Sequence, residues 1–333
     1  MGLPTAKLRT FSTSLLLATC LATTSPALAN KAFVSNERGN TVTVVDTETW
    51  EALAEFEAGN RPRGIGVSPD GKHLYVCASD DDSIKVFDTT TYEFLWSLPS
   101  GPDPELFVLS PDGHTLYVSN EDDNLVTVVD TLKKTIIAEV PVGVEPEGMA
   151  VSPDQKYVIN TSETTNMAHF IRTDTYKIEH NILVDQRPRY ARYTNDGQTL
   201  FVSSEIGGTV SVINAGGETG PVLEGKISFE VPGVQAEWLQ PVGMRITSDN
   251  QWLFVALGPA NRVAVINIPN REVEKYILVG QRVWQLEFTP DEKYLLTTNG
   301  NSNDITVIDV AAQEAIKSIQ VGQQPWGVVV TPD

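Results

Sequence analysis

A repeat constrains this sequence most. The turn Ser-Pro-Asp-Gly and its relatives recur seven times, with aspartates at Asp70, Asp112, Asp154, Asp196, Asp249, Asp291 and Asp333. The intervals are 42, 42, 42, 53, 42 and 42 residues, so one unit carries eleven extra residues. A fixed period of this length marks an architecture built from one repeated supersecondary unit. Each unit reads alike: an apolar run such as GMAV (148–151), the turn, a run such as TLYVSN (115–120), a polar loop, LVTVVDT (125–131), and a fourth run such as TIIAEVPVG (135–143). The second and third runs alternate and are rich in β-branched residues, which predicts strands. The Pro-Asp-Gly chemistry suits a tight hairpin between the first two. Four short antiparallel strands, a to d, in each unit, without helical periodicity, predict an all-β, seven-bladed β-propeller.

The two ends complete one another. The stretch KAFVSNERGNTVTVVDTETWEALAEF (31–56) reads as strands b, c and d without a, whereas GVVVTPD (327–333) reads as strand a alone. Pairing the last strand with the first three closes the ring and removes open sheet edges. Residues 30–333 are therefore expected to form a single domain.

Residues 1–29 stand outside the repeat. Lys7 and Arg9, the apolar run from Phe11 to Leu21, and Ala27-Leu28-Ala29 form the pattern of a secretory signal peptide cleaved after Ala29, which predicts a periplasmic protein. The alternative is a lipoprotein signal ending at Cys20. Cleavage leaves Cys77 as the one thiol, predicted to be buried and inert, and no internal disulfide. It also leaves 22 cations against 43 anions, taking the formal charge from −19 to −21. Such a chain repels nucleic acid and anionic lipid, and attracts cations or a basic partner. No later stretch is long and apolar enough to insert in a membrane.

Because antiparallel strands alternate direction, the d–a and b–c loops share one face, and innermost strand a brings its first residues to the mouth of the central channel. One variable position there, usually following Pro, reads Arg63, Glu105, Glu147, Arg189, Val242, Trp284 and Trp326. Three positions beyond Arg63, Glu105, Glu147, Arg189 and Trp326 in strand a come Gly66, Val108, Ala150, Arg192 and Val329, and the other two blades carry Arg245 and Glu287. This predicts a ligand pocket in which Arg189, Arg192 and Arg245 receive a small anion and Trp284 and Trp326 cover a flat apolar group. The alternative is internal pairing of the arginines with Glu105, Glu147 and Glu287. On the same face the b–c loops carry acids in five consecutive blades, among them Asp80, Asp81, Asp82, Glu121, Asp122 and Asp123. They would steer a cationic partner, bind Ca²⁺ or another hard cation, or remain solvated hairpin tips; no spacing matches a defined calcium loop. The extra residues fall between Asn214 and Pro241. About seven are expected in the c–d loop and four in the d–a loop, where they would raise Glu237 and Trp238 over the mouth as a lid or partner contact, the alternative being a neutral loop excursion.

Catalytic signatures are missing. His73, His114, His169 and His180 do not converge on the mouth, and there is no two-histidine metal spacing, G-x-S-x-G, Cys-His pair, P-loop or haem-attaching C-x-x-C-H. No catalytic residue, metal ligand or cofactor is assigned.

The segment LYVSNEDDNLVTVVDTLKKTIIAEVPVGVEPEGMAVSPD (116–154) resembles the YVTN-family propeller repeat, with YVSN (117–120) nearest the tetrad. The resemblance covers residues 30–333. The exported seven-mark layout is similar to propellers associated with PQQ-dependent catabolism. That resemblance implies a periplasmic, non-catalytic accessory of alcohol oxidation or transport, binding a small anion or docking a quinoprotein dehydrogenase, cytochrome or transporter component. It supplies no residue-level motif, and the tryptophan docking motifs of eight-bladed quinoprotein dehydrogenases are missing. The alternative is a lactonase-like hydrolase or an amine-dehydrogenase-like subunit, both of which resemble seven-bladed propellers.

Overall fold

The computed structural model describes residues 1–2 and 30–332; the rest of the expected signal peptide and Asp333 lie outside the described residues. Twenty-eight strands, β1–β28 in chain order, form seven four-stranded antiparallel sheets, and among the described residues the only helical pieces are three single 3-10 turns. This is the seven-bladed propeller. Its first blade is the expected composite: β28 (Pro325–Val330) lies innermost, hydrogen-bonded to β1 (Lys31–Asn36), followed by β2 (Thr41–Asp46) and β3 (Ala52–Glu57). No helix among the described residues is long and apolar enough to cross a membrane.

The Ser/Thr-x-Asp turns explain why the blade repeats as it does. In the first, Ser68 Oγ donates to Asp70 Oδ1 (2.6 Å), the Lys72 N–H donates to the same carboxylate oxygen (3.2 Å), and the His73 N–H donates back to Ser68 Oγ (3.0 Å). Gly71 follows at φ +72°, a left-handed conformation that glycine adopts without penalty. The same hydroxyl–carboxylate clasp closes the turns at Asp112, Asp154, Asp196, Asp249 and Asp291.

The expected alternation in strands b and c does not translate into one buried and one solvated face. Five of the six residues are buried in β1 and in β2, and the other b and c strands follow closely. Each blade packs face to face between two neighbours, so both faces of its inner strands are dry. Alternation governs burial only in outer strand d, as in β3. Cys77 is fully buried, as expected, and burial pushes its thiol pKa well up.

The insertion divides differently from the expectation. Residues 229–240 connect β19 (Val222–Ser228) to β20 (Pro241–Ile246), whereas the other d–a loops need four residues, such as 58–61. The c–d loop 215–221 is only two or three residues longer than its counterparts. The long d–a loop ends in the 3-10 turn Ala236–Trp238, with Trp238 54% exposed.

Candidate functional site

Strand a reaches the mouth through a register shift. In β12 (Pro146–Val151) pairing with strand b skips from Pro146 to Met149, and the other strands a show an equivalent irregularity near their start. Bulges of this kind re-aim side chains beside functional sites. A hydroxyl on strand b of the preceding blade then anchors the variable position. Ser35 donates to the Arg63 carbonyl, Ser119 to Glu147, Ser203 to Val242 and Thr298 to Trp326, each at 2.7 Å. This is the role of the fifth residue in strands such as TLYVSN.

A second periodic device holds the residue before that Pro. Arg61, Asp103, Glu145, Arg187, Arg282 and Gln324 all have positive φ. Their N–H groups donate to the side-chain oxygens of Asn40, Asp82, Asn124, Asn166, Asn261 and Asn303, each twenty-one residues earlier, over 2.8–3.2 Å. The blade with the long loop has Gly208 at the corresponding position and lacks this tie.

These devices build an ion-pair lattice across the mouth. Glu105, fully buried, accepts from Arg63 and, at 2.6 Å, from Arg61. Arg63 also reaches Glu37 (3.1 Å), and Arg61 reaches Asp80 (3.2 Å) and Asp103 (3.0 Å). On the far side, buried Arg189 contacts Glu163, Glu147 (3.1 Å) and Glu205 (3.7 Å). Arg187 bridges Glu163 (2.7 Å) and Glu205 (3.2 Å), and Arg282 pairs with Glu205 (2.7 Å).

Burial and crowding of like charge separate the carboxyls into different protonation states. Burial opposes ionisation of Glu105, but Arg63 and Arg61 outweigh it and hold its pKa below the usual value. Burial, reinforced by Glu105 and Glu163, raises Glu147 well above it despite Arg189. Burial and then Glu105 push Asp103 up to about 6 and Glu121 up to about 8. Oxygens of Asp103, Glu105 and Glu121 lie within 4.8 Å of one another. Guanidinium groups and a retained proton on Glu121 balance this trio.

The predicted single anion pocket is not formed. Arg189 spends its donors on glutamates, as the internal-pairing alternative holds, while Arg192, Arg245 and Glu287 lie deeper along strand a and face a separate chamber on the a–b side. The spacing of three residues along a strand puts a whole layer of the channel between the two sets. The tryptophans do not offer free faces either. Trp326 is 1% exposed with Arg63 over its ring at 5.3 Å, and Trp284 carries Arg282 at 4.0 Å and Arg189 at 5.8 Å.

The acidic loops also divide. Asp122 and Asp123 are exposed, and Asp80 lies at the rim on Arg61. Asp81 is a structural acceptor for Lys85 (2.6 Å) and Asn60 (2.7 Å), Asp82 ties down Asp103, and Glu121 leans into the mouth. Sequence reasoning did not single out Glu37, Arg61, Asp103, Glu163, Arg187, Glu205 or Arg282. The signal was present: Arg61, Asp103, Arg187 and Arg282 occupy the position before Pro or Val in the d–a loops, and Glu37, Glu121, Glu163 and Glu205 begin b–c loops at multiples of the same period.

The fold is shared with many solved structures. Hydrazine synthase of Kuenenia stuttgartiensis is similar at 21% identity and a TM-score of 0.77, over 88% of this chain and 99% of that one. A putative 6-phosphogluconolactonase of Bacteroides fragilis is similar at 18% and 0.77, over 92% and 99%. The periplasmic gluconolactonase of Pseudomonas aeruginosa is similar at 15% and 0.76, over 91% and 99%. No curated protein matches the chain. A family described as lactonase, seven-bladed beta-propeller, matches residues 28–136 and 178–325, more than half of the sequence. That match overturns the expectation of a non-catalytic accessory of PQQ-linked alcohol catabolism and favours the lactonase-like alternative. The repeat behind that expectation reports how blades are built, which families of different chemistry share. The chain belongs to the lactonase, seven-bladed β-propeller family.

Proposed function

We propose that the protein hydrolyses a lactone at the lattice-lined mouth. The observation that carries this reading within the family is the pair Asp103 and Glu121. Neighbouring carboxyls whose surroundings push their pKa values to about 6 and about 8 supply, near neutral pH, one base and one acid. Asp103, mostly ionised, takes a proton from the attacking water. Arg61, part-exposed and 3.0 Å from Asp103, stabilises the oxyanion that forms on the carbonyl oxygen. Glu121, mostly protonated, gives its proton to the ring oxygen as the C–O bond breaks. One water is consumed and a hydroxy acid is released.

The charge of the mouth supports a neutral substrate. Even with Glu121 and Glu147 set aside as the carboxyls whose pKa is raised most, Glu37, Asp80, Asp103, Glu105, Glu163 and Glu205 outnumber Arg61, Arg63, Arg187, Arg189 and Arg282, and Asp122 and Asp123 stand at the rim. An uncharged sugar-acid lactone enters such a field at no cost, whereas a phosphorylated one is repelled. The signal pattern at residues 1–29 supports action outside the cytoplasm.

The test is proton release from glucono-lactone and its 6-phosphate, followed between pH 5 and 9. The expected profile is bell-shaped with limbs near 6 and 8, the neutral lactone is preferred, and Asp103→Asn and Glu121→Gln each lower kcat by about 100-fold or more. Absence of turnover with any lactone, or full activity in both variants, defeats the proposal.

A further inference from the structure

The chamber at the opposite end of the channel is chemically unlike the mouth. It encloses about 470 Å³, within the range of small-molecule sites. Pro153, Thr194 and Asn195 from the a–b turns are among its lining residues, so it opens on the face away from the ion-pair lattice. Val108, Ala150, Val329 and Phe107 give it apolar walls.

Its charged groups are unevenly partnered. Arg245 forms a two-pronged pair with Glu287, Nε to Oε1 at 3.0 Å and Nη2 to Oε2 at 2.8 Å, and also donates to the Tyr190 hydroxyl. Tyr190 therefore keeps its own O–H free to donate. The Arg192 side chain has neither an ion pair nor a hydrogen bond to any described residue, and it stands half-buried in the chamber wall. Its pKa is pressed down by burial and then by the charge of Arg245, against Tyr190 and Glu287. Trp326, on the same wall, has an indole N–H buried without an acceptor. With Glu287 matched to Arg245, the chamber holds one positive charge in excess. A half-buried guanidinium without a direct partner carries a desolvation cost, and one anion offsets it.

The geometry points to a ligand site here that is separate from the mouth: Arg192, helped by the Tyr190 hydroxyl, receives the carboxylate of a small monoanionic acid whose apolar body lies against Val108, Ala150 and Val329. One excess charge matches one carboxylate, and the aliphatic walls favour a hydrocarbon over a polyhydroxylated body. The inference does not depend on lactone hydrolysis at the other end.

Thermal-shift and calorimetric titrations of the full chain test it, with chloride, inorganic phosphate, acetate, butyrate, hexanoate and hexanol as probes. Butyrate or hexanoate is expected to raise Tm saturably and to bind about tenfold more tightly than acetate, with no effect of hexanol. Arg192→Met is expected to abolish that shift while leaving the ligand-free Tm equal or higher, because it removes an unpaired charge. Glu121→Gln, at the other end, is expected to keep the shift. If chloride or phosphate reproduces the carboxylate shift, the site serves inorganic anions and the apolar body is overturned. No saturable shift, a shift undiminished in Arg192→Met, or a large fall in Tm of ligand-free Arg192→Met overturns the site altogether.

Discussion

Arg189 and Arg192 stand three residues apart on one strand and live in opposite electrostatic conditions. Arg189 is locked between Glu147, Glu163 and Glu205, while the Arg192 side chain forms no ion pair with any described residue and feels Glu287 only at a distance. Replacing Arg189 by Leu removes the one direct ion pair that Glu147 makes among the described residues and leaves Glu163 and Glu205 with Arg187 and Arg282 alone. We expect a loss of about 3–5 kcal/mol in urea unfolding at pH 7, shrinking as the pH falls and those carboxyls accept protons. Glu121 carries a different signature. Its pKa rises from 4.5 to about 8 on folding, so between these values the native state holds a proton that the unfolded state has lost. Stability from this residue is present below pH 4.5 and declines as the pH rises towards 8. A tenfold change in proton affinity is worth about 1.4 kcal/mol, and solvent screening of a half-buried carboxyl reduces the whole displacement to on the order of 1–2 kcal/mol. Glu121→Gln should therefore flatten the dependence of Tm on pH between 5 and 8 and raise Tm at pH 8. An unchanged slope would mean that Glu121 is ionised in the native protein.

At the scale of elements, the b–c hairpin and the d–a loop act as one unit because an Asn or Asp at the hairpin end accepts the N–H of a left-handed residue twenty-one positions later. Asn261 does so for Arg282 at 2.8 Å, and Asn261 itself sits at φ +56°. Asn261→Gly keeps the permitted backbone and loses one hydrogen bond, an expected cost of about 1 kcal/mol. Asn261→Ala adds the strain of a left-handed alanine, for an expected total of about 2 kcal/mol. The order Asn, Gly, Ala in unfolding midpoints checks this; equal Gly and Ala variants would remove the backbone part of the account. Both should also loosen the Arg282–Glu205 pair.

At the scale of the molecule, the ring depends on β28 closing the first blade and on six clasped turns. Deleting residues 325–333 strips the inner strand from β1 and opens the ring, so the truncated chain is expected to aggregate or elute as oligomers in size-exclusion chromatography. A monomer with unchanged Tm would show that closure is dispensable. The turn aspartates set the acid limit. Asp70, Asp112, Asp154, Asp196 and Asp249 lie below the ordinary 3.8, and Asp291 at about 2. Their contribution is present above pH 3.8 and is lost as the pH falls through the depressed values, the reverse of Glu121. Tm should thus peak in mildly acidic solution, between about pH 4 and 7.

The residues that repeat were legible because blades are local: turn chemistry, strand length and the complementary ends need only neighbours in sequence. The insertion was harder to divide, since residues 215–240 have no counterpart of their own length elsewhere in the ring. The seven variable mouth positions could be named from their period. Their partners could not, because an ion pair such as Arg282 with Glu205 joins residues 77 apart and depends on blade angle and side-chain reach. By itself the sequence determined the propeller, its closure and the face that gathers charged residues. Only the tertiary structure decided that three arginines expected in one pocket belong to two layers, with Arg189 held by glutamates in one, and Arg245 paired with Glu287 beside an unpaired Arg192 in the other, because charge compensation is settled by which side chains meet across the channel axis.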